Sequence, residues 1–175
     1  MNISAQKRTA GFTLIEVLVA LVVISLGLLG IAGIQALAIG RTHSAQTESL
    51  AAIEAESLAA AMHANPGYWQ AALFPTSATT IVGSTISDAT LNAAPESCST
   101  QSCTPTQMAG NDLKRWGVTL QSLIPGAQGS LNCQTGTPAS CRISVTWSQR
   151  NGAAINAGTE SAATTSVTYT LVNEL

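Results

Sequence analysis

Charge is what this chain has least of. Only 9% of its residues are Asp, Glu, Lys or Arg, and only 4% are aromatic. Basic residues beyond position 11 are scattered singly or in one pair, at Arg41, Lys114, Arg115, Arg142 and Arg150. No run of them could neutralise several phosphates, so nucleic acid is not an expected partner. No proline occurs before Pro66, which removes the strongest helix breaker from the first third of the chain. The motifs GxSxG, HExxH and the phosphate-binding glycine loop are absent. The two histidines, His43 and His63, stand alone in a helix-forming stretch and read as surface polar positions. No catalytic residue, metal ligand or cofactor is expected, and the chain does not read as an enzyme.

What is present is a long apolar run near the start. Val17 to Ile34 carries no charge and low polarity continues to Gly40, close to the ~20 residues that cross a bilayer. Lys7 and Arg8 precede it, which keeps the N-terminus cytoplasmic and sends the chain beyond Arg41 outward. One residue breaks the pattern: Glu16, a carboxylate at the head of the run. At the centre of a bilayer such a charge costs roughly 2.5–3.5 kcal/mol, so something must compensate it.

Three readings of this segment are open. Ala36-Leu37-Ala38 matches the small-x-small site of a secretory signal peptide, with a mature start at Ile39. An uncleaved signal anchor is the second. Both leave Glu16 unexplained. The third puts cleavage before the run, after Gly11, and keeps the apolar segment on the mature protein with a new amine at Phe12.

"KRTAGFTLIEVLVAL", residues 7 to 21, resembles the type III signal of type IV pilins and pseudopilins. Basic leader, glycine, phenylalanine, apolar run and one glutamate occur in that order. The resemblance implies that prepilin peptidase cuts between Gly11 and Phe12 and that Phe12 becomes N-methylated. It also implies a role for Glu16 in assembly, pairing with the cationic N-terminus of a neighbouring subunit. Opposite charges in a low dielectric attract strongly and offset part of each other's desolvation cost.

Farther on, Ser25 to Gln35, "ANPGYW", Cys98 and Cys103, and Asp112 to Trp116 are similar to the PilV family of minor pilins. That likeness implies an inner-membrane subunit with a periplasmic head. It would join other minor pilins and the major pilin to initiate pilus assembly and sit near the pilus tip. A minor pseudopilin of a type II secretion system is the alternative, and a membrane-anchored binding module a third.

The expected architecture is α+β: one long helix packed on a small antiparallel β-sheet head. Residues 1–11 are read as a cleaved leader, 12–40 as the transmembrane and assembly half of the helix, and 41–65 as its periplasmic half. Leu50, Ile53, Leu58 and Met62 form its loose apolar stripe. Gly27, Gly30 and Gly33 weaken its middle by roughly 1 kcal/mol each against alanine; close helix contact and local unwinding are equally good reasons for them.

The head spans 66–175. Residues 75–97, rich in Ser, Thr and Ala, read as a long surface loop. Thr104, Pro105 and Gln107 supply a helix start, with Leu113, Trp116, Leu120, Leu123 and Ile124 at helical spacing to Pro125. Asp112 reads as a solvated residue near that start. From about 129 to 172 the period becomes two, with Ile143, Val145 and Trp147 on one strand and Val167, Tyr169 and Leu171 on the next. Asn151-Gly152 and Asn156 to Gly158 mark turns between them. Four cysteines downstream of a membrane segment read as disulfides in an oxidising compartment. Three pairings are possible; proximity favours Cys98–Cys103 and Cys133–Cys141 over the others and over a zinc site.

Overall fold

A computed structural model describes residues 11–99, 102–150 and 164–175, without the side chains of 36, 37 and 150. Lys7, Arg8 and the turn residues between 151 and 163 lie outside the described residues. The chain divides into two units, residues 1–42 and 43–175, and each is described by itself. Helix α1, Leu14–Ala64, contributes to both. The arrangement is α+β: this long helix, then a small antiparallel five-stranded sheet.

In the first unit the described side chains of α1 are exposed. Its stretch from Leu14 contains leucine, valine, isoleucine and alanine with no proline, and it is long and apolar enough to cross a membrane. Hydroxyls along α1 are satisfied internally: Ser25 donates to the Val22 carbonyl, and Thr42, Thr47 and Ser49 donate to the carbonyls of Ala38, His43 and Ala45. That back-bonding lets polar residues sit in a helix without unpaired donors.

In the second unit the remainder of α1 buries a narrow face made of Ala51, Ala55, Leu58 and Met62. The expected stripe is corrected in one place: Ile53 is 59% exposed, because the alanines at 51 and 55 let the head approach one helical face closely and leave Ile53 off it. After α1 a short helix α2, Pro66–Trp69, buries Tyr68 and Trp69. The Trp69 ring meets Tyr68 edge-on at 4.8 Å and stacks on Phe74 at 6.4 Å.

The segment 75–97 is not a plain loop. It forms β1, Thr79–Val82, β2, Thr85–Ile86, and a short helix α3, Ala89–Asn92, capped by the Asp88 side chain accepting from the Leu91 amide. Ile81, Ile86, Leu91 and Ala94 are buried. What holds them is helix α4, Pro105–Leu123, whose Gly110 and Gly117 lie two turns apart. A Cβ on Gly110 would collide with the Leu91 carbonyl, and one on Gly117 with the Gly83 carbonyl. Glycine therefore allows backbone-to-backbone approach that gives these short elements a core.

Thr104 caps α4 with both bonds of a capping box: its hydroxyl accepts from the Gln107 amide and the Gln107 side-chain oxygen accepts from the Thr104 amide. Leu113, Trp116, Leu120 and Ile124 are buried as spaced, but Leu123 is 44% exposed. Asp112 is half-buried within the helix, not beside its start. Its carboxyl is pushed up by burial and partly held down by Arg115.

Strands β3, Gln128–Gln134, β4, Ser140–Arg150, and β5, Thr164–Glu174, complete a sheet of order β2-β1-β3-β4-β5, antiparallel throughout. Leu131, Cys133, Cys141, Ile143, Val145 and Trp147 face the core with the α1 and α4 side chains. All four cysteines are bonded, Cys98 to Cys103 and Cys133 to Cys141. Cys133 and Cys141 stand directly opposite in the β3–β4 register, with Cα atoms 4.0 Å apart. A native disulfide typically stabilises a small domain by about 2–4 kcal/mol.

Candidate functional site

The residues singled out in the sequence as a processing and assembly site are contiguous and lie at the start of α1. Gly11, Phe12 and Thr13 precede the helix, and the Glu16 and Val17 amides close its first turn on the Thr13 carbonyl at 3.1 and 3.3 Å. Phe12 is 83% exposed and a Cβ on Gly11 would meet nothing within 4 Å, so the bond between them is accessible. Glu16 occupies the first helical turn. There the free amides and the helix dipole favour an anion, worth about 0.3–1 kcal/mol in water. Thr13 and Glu16 have the three-residue spacing of a capping box.

Beyond Glu16 the large apolar side chains from Val17 to Ile34 are all exposed. Gly27, Gly30 and Gly33 are helical, with open space at the position of a Cβ. An apolar surface this extensive is stable only in lipid or against other chains. The arrangement is a helix with an acid at one end and an exposed apolar surface along it.

Comparison with known proteins bears on this same stretch. The family described as "prokaryotic N-terminal methylation motif" matches residues 6–32. The segment carries a prepilin-type N-terminal motif. It supports a type IV pilin-like protein, in which this end of the chain is processed by prepilin peptidase and assembles with other pilins. The match ends within the apolar half of α1 and does not extend into the head. No curated protein and no solved structure matches the chain.

In the head, the structure groups residues that the sequence did not single out together. Asn111 Nδ2 donates to the carbonyls of Pro95 and Glu96 at 3.1 and 2.8 Å. The Lys114 ammonium, itself buried, donates to the Ala94 carbonyl at 2.7 Å and meets the Glu96 carboxylate at 3.4 Å. One face of α4 thus grips three successive carbonyls just before the Cys98–Cys103 bridge. The cleft beside it, ≈ 270 Å³, is lined by Ser84, Glu96, Lys114, Arg115, Val118 and Thr119. Of the histidines, His43 is exposed, while His63 Nε2 lies 3.0 Å from Asn173 Oδ1, tying the end of α1 to β5. Nothing in the sequence around Asn111 and Lys114 announced the grip, because its acceptors are backbone atoms.

Proposed function

We propose that this chain is a minor type IV pilin of the PilV type. On this reading residues 1–11 are a leader removed by prepilin peptidase, and Phe12 becomes the N-methylated first residue. Segment 12–40 resides in the inner membrane and then in the filament, 41–65 is the periplasmic half of the helix, and the head from 66 onward folds in the periplasm. The subunit joins other minor pilins and the major pilin in the complex that initiates pilus assembly, near the tip. Cys98–Cys103 and Cys133–Cys141 keep the exported head folded outside the reducing cytoplasm.

The observation that carries this reading is the coincidence at one helix end of an accessible Gly11–Phe12 bond, Glu16 in the first turn and an uncovered apolar helix, all inside the matched motif. Once the leader is gone, the amine at Phe12 and the carboxylate at Glu16 of a neighbouring subunit are complementary charges in a low dielectric. Each offsets what the other loses on leaving water.

Mass spectrometry of the mature N-terminus, from membranes with and without prepilin peptidase, tests it. A peptide starting at N-methylated Phe12 that disappears without the peptidase is expected. A start at Ile39, or an intact Met1, overturns the reading. The pseudopilin alternative shares this N-terminal motif, and the phenotype of a deletion separates the two: loss of pili selects the pilus subunit, loss of protein secretion the pseudopilin.

A further inference from the structure

The two edges of the sheet are built differently. At one edge β2 is only two residues long and runs through Asp88 into α3. The other edge is β5, eleven residues long, and among the described residues its sole strand neighbour is β4. Exposed edges are normally blunted by shortness, proline, lysine or a bulge, since a row of free amides and carbonyls templates pairing with another strand. β5 has no such device. From Thr164 to Asn173 it carries no charged residue and no proline, and its register with β4 runs unbroken from end to end.

The apolar side of the sheet also stops short of being covered here. Trp147, Val145 and Ile143 on β4 are buried, while their direct partners on β5, Val167, Tyr169 and Leu171, are only half-buried. On the opposite side β5 presents Ser166, Thr168 and Thr170, with the exposed Val172 beyond them. A strand added at this edge must therefore be apolar on one side and hydroxyl-bearing on the other.

We propose that β5 pairs antiparallel with β5 of a second copy of this chain, continuing the sheet across a two-fold axis at Tyr169. Tyr169 is the midpoint of Thr164–Glu174, so this register uses the whole strand. It sets Val167 against Leu171 on the apolar side and Thr168 against Thr170 on the other. Hydroxyl pairs of this kind already join β4 to β5, where Thr146 Oγ1 and Thr168 Oγ1 are 2.9 Å apart and Ser144 Oγ and Thr170 Oγ1 3.3 Å apart. Glu174, the strand's single charge, faces Thr164 of the other copy, so no like charges are opposed. The pattern is complementary to itself, as a two-fold contact requires. This pairing does not depend on the filament reading.

The test uses the full chain in detergent micelles, with sedimentation measuring self-association. Thr168→Lys with Thr170→Lys puts cations against cations across the axis and is expected to weaken the dimer at least tenfold, leaving circular dichroism unchanged. Mixing that variant with Thr168→Glu/Thr170→Glu chains is expected to restore association. Independently, a mixture of Thr168→Cys and Thr170→Cys chains should oxidise to a dimer in preference to either alone, which a misfolded lysine variant cannot obscure. A monomer at every concentration, a dimer insensitive to the lysines, or no preference in the cysteine mixture overturns the proposal. Crosslinking of co-expressed Thr168→Cys and Thr170→Cys chains in native membranes to a different protein, and not to each other, overturns it as well and assigns the edge to that partner.

Discussion

The Trp116 indole donates its Nε1 hydrogen to the Glu54 carbonyl oxygen at 2.8 Å, across a sequence separation of 62 residues. This bond joins α4 to the buried face of α1 within the head, and it satisfies a donor that has no access to water. Trp147 is the contrasting case: equally buried, its Nε1 has no hydrogen-bond partner among the described residues.

The two tryptophans should therefore respond unequally to the same substitution. Trp116→Phe loses a buried hydrogen bond and ring volume, and is expected to destabilise the head by about 1–3 kcal/mol. Trp147→Phe removes an unpaired donor whose desolvation is uncompensated, so its cost is expected to be smaller, down to a small gain. Denaturant unfolding of the full chain in micelles, followed by the circular dichroism of the sheet, measures both. Equal losses would mean that the Trp116–Glu54 bond contributes nothing beyond ring packing.

How much of this was legible in the sequence depended on whether a signal was local. The prepilin-type N-terminal motif is a run of consecutive residues, so it could be read directly. The capping box at Thr104 and the alternation of β4 and β5 are likewise local. β1, β2 and α3 were not legible: each holds one or two large apolar residues in a background of Ser, Thr and Ala, and their burial comes from Gly110 and Gly117 on a helix farther along the chain. Ile53 misled for a related reason. The face of α1 that packs is made largely of alanine, which hydropathy patterns weigh lightly, so the isoleucine drew the stripe to the wrong side.

Glu54 makes the head's stability depend on pH in an unusual direction. Burial pushes its carboxyl above the ordinary value of 4.5, because desolvation penalises the charged form. The folded chain therefore binds a proton that the unfolded chain has already released. The stability contributed by the protonated acid is full below the ordinary carboxylate range and is lost as pH rises through the raised pKa. Burial of Asp112 acts in the same sense, with Arg115 opposing it in part. Glu54→Gln is expected to raise the unfolding midpoint at neutral pH and to flatten its dependence on pH above 4.5. A slope left unchanged by this variant would locate the effect at Asp112.

The grip of α4 on residues 94 to 96 makes a local prediction. Asn111→Ala leaves the Pro95 and Glu96 carbonyls without their side-chain donor, and Lys114→Met removes the donor to the Ala94 carbonyl. Lys114→Met, whose acceptor is buried, is expected to cost about 1–3 kcal/mol, and Asn111→Ala, whose two bonds are part-buried, about 0.5–1.5 kcal/mol per bond. The loss should be concentrated in the segment leading to Cys98. Hydrogen exchange checks this: the amides of Ala94, Glu96 and Ser97 should exchange at least tenfold faster, while those of β3 and β4 keep their protection. Uniform loss of protection across the head would instead make the grip part of the global core.

On the proposed reading Glu16 serves assembly and not processing: the Gly11–Phe12 bond precedes the helix and both residues are exposed, while the carboxylate is assigned to a neighbouring subunit's amine. Glu16→Ala is expected to be cut and methylated at Phe12 like the parent, yet to be lost from sheared filaments by tenfold or more. Glu16→Asp keeps the charge but shortens the side chain by one methylene, and should recover part of that incorporation. Glu16→Gln distinguishes the charge from a hydrogen bond: it keeps an acceptor and the length, and is expected to behave like alanine. Mass spectrometry of the membrane fraction reports the cut, and immunoblotting of the filament fraction reports incorporation. If Glu16→Gln assembles as well as the parent, the carboxylate is not an electrostatic partner, and its place in the first turn of α1 is explained by the helix end alone.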